Sequence, residues 1–158
     1  MKYCIQTIAI CFLLLMINVV PSKAQAPHPI KWSFSVEKRE VDAILSLKAT
    51  IESPWHLYSQ NIGAGGPIPT SFKFTPSSDY ELIGKVNEPD AVVFHDPNFD
   101  MDLKTFDINV TFTQKIKLKN NKDFSVKGTL EFMACNDKMC LPPDEIPFEI
   151  QVKTSSVK

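Results

Sequence analysis

The sequence predicts an all-β fold, an immunoglobulin-like β-sandwich of about seven or eight antiparallel strands. Apolar and polar residues alternate through most of the chain, which is the pattern of strands that bury one face. The alternating segments are short, turn-forming residues separate them, and no long segment has helical periodicity. Two packed antiparallel sheets account for these observations. A closed barrel has the same periodicity and is the alternative.

Residues 1–24 are predicted to be a signal peptide that is cleaved on export. Lys2 supplies the positive charge, residues 5–20 form an apolar stretch, and the small residues within 22–26 provide two cleavage signals. The apolar stretch is shorter than the roughly 20 residues that cross a bilayer. We therefore expect a periplasmic protein whose mature chain has no membrane span.

Removal of the signal peptide leaves Cys135 and Cys140 as the cysteines of the mature chain. Two cysteines so close together in an exported protein are expected to pair. Residues 25–154 have the length of one domain with a single core, and residues 155–158 are predicted to be a disordered tail. The net charge of −1 and the lack of a basic stripe argue against a nucleic-acid partner.

Each predicted strand follows from its own apolar spacing. In chain order the apolar positions are Trp32, Phe34 and Val36; the odd positions from Val41 to Ile51; Trp55 and Leu57; Phe72 and Phe74; Ala91 to Phe94; the even positions from Phe106 to Leu118 except Gln114; Phe124, Val126, Leu130, Phe132 and Ala134; and Ile146, Phe148, Ile150 and Val152. Turn residues separate these strands at 37–40, 76–79 and 120–122. Two segments, 61–67 and 95–100, are predicted to be irregular loops, and such loops often carry function.

The cysteine pair follows a strand whose even-numbered residues face the core, so Cys135 is predicted to point away from that core. Pro142 and Pro143 fix the direction in which the chain leaves Cys140. The expected result is a small loop closed by an exposed disulfide. So short a loop gains only about 2 kcal/mol from its cross-link, and exposed short-loop disulfides are often reducible. This favours redox chemistry over a purely structural staple.

Two other functions stay open at this point. A structural disulfide in a non-catalytic binding or adaptor sandwich is the first. The second is a soft copper site made by Cys135 and Cys140, the methionines at 133 and 139, and His56 or His95. A zinc site would need four ligands, and the sequence has no second Cys or His pair at a suitable spacing to complete it.

The strand at Trp55–Tyr58 adds a histidine to the candidate site. If Trp55 and Leu57 face the core, His56 and Tyr58 share the opposite face. A histidine beside a cysteine pair can stabilise a thiolate or move a proton. The alternative is an exposed strand face with two amphipathic residues.

Residues 135–143, with the pattern Cys-x4-Cys-Leu-Pro-Pro, resemble the active-site segment of the N-terminal periplasmic domain of the thiol:disulfide interchange protein DsbD. The similarity extends to the strand at 56–58, the run at 92–96 and the loop that contains Phe99. The resemblance implies an immunoglobulin-like sandwich that receives electrons from a thioredoxin-like donor and passes them to oxidised periplasmic proteins. We expect an electron-carrier module, a protein thiol–disulfide oxidoreductase, with no cofactor and no metal.

The resemblance also implies roles for individual residues. Cys135 and Cys140 would be the redox pair, with Cys140 the sulfur attacked in mixed disulfides. Phe99 would belong to a cap loop over the pair, and Tyr58 and His56 would line the site.

Three features depart from the family pattern. Pro97 and Asn98 stand where well-known members have two acidic residues, and Asp96 lies one step earlier. The cysteine loop is one residue shorter than in some members. No transmembrane bundle or thioredoxin-like Cys-x-x-Cys follows residue 150, so we expect a stand-alone version whose donor is another protein.

Overall fold

The computed structural model describes residues 27–153, and all of its regular elements are strands. The predicted signal peptide at 1–24 and the predicted tail at 155–158 lie outside the described residues. Twelve strands lie within the described part, in chain order β1 (Ile30–Lys38), β2 (Asp42–Ile51), β3 (His56–Tyr58), β4 (Ser71–Phe74), β5 (Tyr80–Asn87), β6 (Val92–Asp96), β7 (Met101–Phe106), β8 (Asn109–Leu118), β9 (Phe124–Phe132), β10 (Ala134–Asn136), β11 (Met139–Cys140) and β12 (Asp144–Val152).

The strands form three antiparallel sheets. Their orders are β1-β2-β8-β5, β12-β9-β4 and β11-β10-β3-β7-β6. The first two sheets face each other, as the ring contacts between Trp32 and Phe72 (6.1 Å between centroids) and between Phe34 and Phe148 (5.6 Å) show. The all-β immunoglobulin-like sandwich predicted from the alternation is confirmed.

The main core lies between the four-stranded and three-stranded sheets. It is built from the alternating apolar residues that the sequence predicts, including the fully buried Leu45, Leu47, Phe112, Val126 and Leu130. Each such side chain contributes about 1.5–3 kcal/mol when it is removed from water. This core holds the sandwich together without the cysteine pair.

The five-stranded sheet continues from one end of the sandwich. Two strands of the sandwich lead into it: β9 passes into β10 through Met133, and β7 is separated from β8 by Asp107 and Ile108. Both cysteines, His56 and Asp96 lie on this sheet. Within residues 27–153, no helical segment has the length and apolar character that a membrane span requires.

The strand count differs from the seven or eight expected, because short strands and a break were missed. β5 is mostly exposed and so has little apolar alternation. The even-numbered run from Phe106 to Leu118 is two strands. Ile108, which was predicted to be buried, has a φ of 63° and is 73% exposed, because the chain changes sheets there. Val41, predicted as a core residue, is 69% exposed because it precedes β2 in the turn.

Candidate redox site

Cys135 and Cys140 form a disulfide between two neighbouring strands, β10 and β11. They are direct partners in the antiparallel register, and their Cα atoms are 4.1 Å apart. The turn between them is held by Asn136, whose Oδ1 accepts the backbone N–H groups of Lys138 (2.9 Å) and Met139 (3.0 Å). The backbone N–H of Leu141 donates to the carbonyl of Ala134 at 2.9 Å, which fixes the chain after the pair.

The two sulfurs differ in exposure, and the pair is less exposed than predicted. Cys135 is fully buried, whereas Cys140 is half-buried on the edge strand β11. Cys135 points away from the main core, which contains its neighbour Ala134. The open surface expected there is instead a second apolar cluster, made of Tyr58, Leu103 and Cys135 with Ile62, Phe99, Met101, Met133 and Cys140 packed against it.

A β-hairpin, here called the covering hairpin, packs against the apolar cluster that contains the disulfide. Strands β6 and β7 pair from Asp96↔Met101 to Val92↔Thr105, so the predicted loop at 95–100 is a tight turn of four residues. The Phe99 ring lies in the cluster that contains both cysteines and meets the Tyr58 ring edge-on, with centroids 6.2 Å apart. Asn98 Nδ2 donates to the carbonyl of Asn136 at 3.0 Å. This contact ties the covering hairpin to the turn between the cysteines.

His56 and Tyr58 lie on the cysteine side of β3. His56 is the register partner of Cys135 across the β3–β10 pair, so their side chains are neighbours on one face. His56 is 5% exposed and Tyr58 is fully buried, so the strand face is not the exposed surface considered above. Leu57, between them, belongs to the main core.

Asp96 joins these two side chains in a buried network. Its Oδ2 accepts a hydrogen bond from the Tyr58 hydroxyl and lies 3.2 Å from His56 Nε2, which is also 3.1 Å from the Tyr58 hydroxyl. Its Oδ1 accepts the backbone N–H of Asn98 at 2.8 Å and the Asn98 side chain at 3.1 Å. A fully buried carboxylate therefore links β3 to the hairpin that covers the cysteines.

The network sets the charge of the site. Burial alone would raise the pKa of Asp96, but the hydrogen bonds from Tyr58, Asn98 and His56 outweigh it and hold the pKa below its ordinary value. Burial and the neighbouring Asp96 carboxylate raise the pKa of Tyr58 well above its ordinary value. Asp96 is therefore ionised and Tyr58 is a neutral hydrogen-bond donor at neutral pH.

The burial of His56 changes one expectation. An exposed His56 would be replaceable by alanine with almost no loss of stability. In the structure its removal would open a cavity and take a hydrogen-bond partner from the buried Asp96. We therefore expect a measurable loss of stability along with any effect on chemistry.

The side chains considered for copper are only partly gathered at the cysteines: His56 lies beside Cys135, whereas His95 and Met139 do not belong to the cysteine cluster. His95 is an exposed residue of β6 and contacts Asp102 (3.0 Å) and Asp100 (3.4 Å) on its own hairpin. Met133 packs against the cysteine cluster, and Met139 is 49% exposed. Among residues 27–153, no group of three His, Cys, Asp or Glu side chains is placed to hold a metal ion.

The sequence missed several neighbours of the disulfide. Met101 and Leu103 were missed because their odd positions conflict with the even phase of Phe106, so β7 was not recognised as a strand. Met133 was named as a candidate copper ligand beside the cysteines, and the structure places it in their apolar cluster. The contact of Asn98 with the cysteine turn has no sequence signal, because it joins residues 38 positions apart.

Comparison with known proteins agrees with this geometry. A family model described as the N-terminal region of thiol:disulfide interchange protein DsbD matches residues 22–151. No curated protein sequence matches the chain.

Three solved structures share the fold. The reduced DsbD N-terminal domain of Neisseria meningitidis has 12% identity and a TM-score of 0.51, over 77% of this chain and 86% of that one. The N-terminal periplasmic domain of ScsB from Proteus mirabilis has 17% identity and a TM-score of 0.58, over 81% of this chain and 47% of that one. The N. meningitidis complex between the DsbD N-terminal and PilB N-terminal domains contains a chain with 12% identity and a TM-score of 0.54, over 80% of this chain and 87% of that one.

The similarity at these identities shows the fold alone, whereas the family match spans most of the sequence. It includes both cysteines, the His56–Tyr58 strand and the covering hairpin. The resemblance inferred from the cysteine segment is thus confirmed, and the chain belongs to the family of the N-terminal domain of the thiol:disulfide interchange protein DsbD, a thiol–disulfide interchange module.

Proposed function

We propose that this domain is a periplasmic electron carrier that exchanges disulfides with other proteins through Cys135 and Cys140. One observation carries the proposal: the disulfide lies at the edge of a sheet, outside the main core, and under a hairpin that closes with a four-residue turn. A staple would join distant parts of the core. This disulfide joins two strands that are already hydrogen-bonded neighbours.

The difference in burial assigns the two sulfurs different tasks. In the reduced domain the Cys140 thiolate attacks a partner disulfide, forms a mixed disulfide and releases one partner thiolate, which takes up a proton. The Cys135 thiol then loses its proton and attacks the Cys140 sulfur, which releases the second partner thiolate. The domain is oxidised and the partner reduced by two electrons. Recharging by a donor dithiol is the reverse sequence.

The covering hairpin must move for either exchange. Phe99 packs on the cysteine cluster, so a partner sulfur reaches Cys140 only when the turn at 97–100 shifts. The side-chain contacts of this turn are the Asn98–Asn136 hydrogen bond, the Asn98–Asp96 bonds, the exposed His95–Asp100 contact and the Phe99 ring. A docking partner can replace them, whereas a small oxidant or reductant cannot.

We further propose a thioredoxin-like protein as the electron donor and oxidised periplasmic proteins as the acceptors. The predicted signal peptide supports export, and the periplasmic origin of the similar ScsB domain agrees with it. The solved complex of a DsbD N-terminal domain with a PilB N-terminal domain supports a protein partner. The buried position of Cys135 also favours a partner that docks over a small thiol.

The reduction potential of the pair tests the proposal. A carrier requires a potential above about −300 mV, within reach of cellular dithiols. A lower value would support the alternative, an adaptor sandwich with a structural disulfide, which the full burial of Cys135 favours. Equilibration with dithiothreitol or glutathione buffers, followed by alkylation and mass spectrometry, gives this value.

Trapping tests the direction of attack. A Cys135→Ser variant should accumulate mixed disulfides through Cys140, because the resolving thiol is missing. A Cys140→Ser variant should trap far less, since Cys135 is buried. Equal trapping by the two variants would refute the assignment, and no trapping by either would refute the exchange function.

A further inference from the structure

A pocket beside the redox site has no assigned role. It has a volume of about 450 Å³ and opens between the cysteine hairpin, β3, the β6–β7 hairpin and the crossing at 107–108. Trp55, Phe94 and Ile108 give it an apolar wall, and the buried His56 forms part of its lining. His56 is also the register partner of Cys135, so the pocket borders the surroundings of that cysteine.

The pocket also carries uncompensated negative charge. Asp107 and Asp137 line it, both are exposed, and neither has an ion-pair partner among residues 27–153. No lysine or arginine side chain lines the pocket. Asp137 lies in the turn between the two cysteines, so this charge is presented to whatever approaches Cys140.

Aromatic faces and carboxylates together recognise cations. A guanidinium group stacks on Trp or Phe rings and also binds carboxylates, so one side chain can satisfy both features of the wall. Phe94 is 36% exposed and lies 5.6 Å from the His56 ring, which places an aromatic face at the inner side of the pocket. Ile108, 73% exposed, supplies apolar surface for the methylene stem of a long side chain.

We propose that this pocket binds an arginine side chain of the redox partner and so positions the partner disulfide at Cys140. The inference rests on the proposed exchange function, because it identifies how that function selects its partners. It adds a recognition rule: acceptable partners carry an arginine near the reactive cystine, and partners with an acidic residue at that place are disfavoured.

Binding to the oxidised domain tests the pocket independently of electron transfer. The probes are the capped peptide Gly-Arg-Gly and its counterparts with citrulline, norleucine or glutamate in place of arginine. Each peptide is titrated into the isotope-labelled protein, and binding is measured from the NMR chemical shifts of the protein. The arginine peptide should bind about fivefold more tightly than the citrulline peptide, the sum of an exposed ion pair and a cation–π contact. Its shifts should centre on Trp55, Ile108 and Asp137.

The double variant Asp107→Asn with Asp137→Asn should weaken the preference for arginine to the part that the cation–π contact supplies. The matched control, Asp90→Asn with Glu145→Gln, makes the same change in net charge at exposed sites outside the pocket and should retain it. Equal binding of arginine and citrulline, tighter binding of norleucine, or equal effects of the two double variants would overturn the proposal.

A rate measurement separates this proposal from the exchange function. Cystine peptides with arginine or citrulline two residues before a cysteine are mixed with the reduced domain. We expect the arginine peptide to be reduced about fivefold faster, and the pocket variant to bring the ratio of the arginine rate to the citrulline rate closer to one. Equal rates would overturn the pocket and leave the exchange function intact. If neither peptide is reduced but arginine binds preferentially, the exchange function fails and the pocket stands.

Discussion

His56 connects the buried hydrogen-bond network to the disulfide, because it contacts Asp96 and Tyr58 and lies beside Cys135. One ring nitrogen, Nε2, is bonded within the Asp96–Tyr58 pair, and the ring lies across the strand from Cys135. Reduction of the pair consumes two protons, and oxidation releases them, yet Cys135 has no contact with solvent. A residue that borders both Cys135 and an open pocket is placed to carry a proton between them.

Replacement of His56 by alanine should therefore slow reduction of a partner disulfide by at least about tenfold and raise the pH at which the reactive thiol titrates. It should also lower the free energy of unfolding by about 1–3 kcal/mol, because Asp96 loses a buried partner. Stopped-flow fluorescence against pH measures the rate. Added imidazole should restore it, since the deleted ring leaves a space that joins the pocket.

The control is His95→Ala, which removes an exposed histidine from the covering hairpin. Its rate should match the parent protein and should not respond to imidazole. If His56→Ala keeps the parental rate and thiol titration, or if imidazole has no effect on it, His56 is a structural residue only.

Asp96 should make the free energy of unfolding of the domain depend on pH in the acidic range. Its pKa is lower in the folded than in the unfolded chain, so its contribution is fully present above the unfolded pKa of about 4 and is lost as pH falls through the folded pKa. Asp96→Asn should lower the free energy of unfolding by about 1–3 kcal/mol at pH 7. Urea titrations should show that gap closing below pH 4; a gap that persists in acid would contradict the lowered pKa.

The covering hairpin is the element that most separates this site from an ordinary surface disulfide. Its turn carries Phe99 and Asn98, and its inner strand, β7, supplies Met101 and Leu103 to the cysteine cluster. Its outer strand, β6, is the open edge of the five-stranded sheet and exposes Val92 and Val93. The hairpin is therefore anchored on one side and free on the other, as a movable cover requires.

Phe99→Ala should make the disulfide react faster with small reductants. The ring is half-buried on the cysteine cluster, and its loss should cost about 1–2 kcal/mol of stability while it opens a path to Cys140. We expect a several-fold increase in the rate at which glutathione reduces the disulfide. Alkylation of samples quenched at successive times measures this rate. Val93→Ala, on the exposed face of the same hairpin, should leave this rate unchanged; a faster rate in both variants would point to general loosening of the hairpin.

At the level of elements, the sequence predicted the strands that bury one face and missed those that do not. β2, β9 and β12 were located because a single sheet face is buried along their whole length. β5 could not be located, since its residues are mostly exposed. The sequence also predicted a loop at 95–100 with its Phe99, of which residues 97–100 are the turn and 95–96 belong to β6. The burial of Asp96 depends on contacts with β3, 38 positions away, and has no local signal.

The described part of the molecule contains two separate apolar clusters, the main core and the cluster around the cysteines. The main core draws residues from ten of the twelve strands of the described part and contains neither cysteine, whereas both cysteines belong to the second cluster. Leu57 and Ala134, which face the main core, alternate with the residues that face the disulfide. The main core and the disulfide therefore lie on opposite faces of the same short strands.

Gly128 allows this division to be tested. It lies in β9 between Phe74 of β4 and Phe148 of β12, whose rings meet 5.3 Å apart. A Cβ at this position would lie 2.5 Å from the Phe148 ring and would meet the Lys73 carbonyl oxygen. Gly128→Ala should lower the free energy of unfolding by about 3 kcal/mol and leave the reduction potential of the folded domain unchanged.

Gly63→Ala is the matched control for Gly128→Ala, because nothing lies within 4 Å of the added methyl group. Urea unfolding and glutathione equilibration give the two quantities for each variant. A shift in reduction potential that accompanies the loss of stability in Gly128→Ala would mean that the two clusters are coupled.

The position of the cysteines on adjacent strands also has a consequence for how this domain can evolve. The ladder between β10 and β11, together with the Asn136 turn, already closes the short loop, so opening the disulfide frees few backbone conformations. Selection can therefore adjust the electron affinity of the pair through the side chains around it, with little effect on the folding of the sandwich. Lineages with different partners can share one scaffold and differ mainly at the residues that border Cys140.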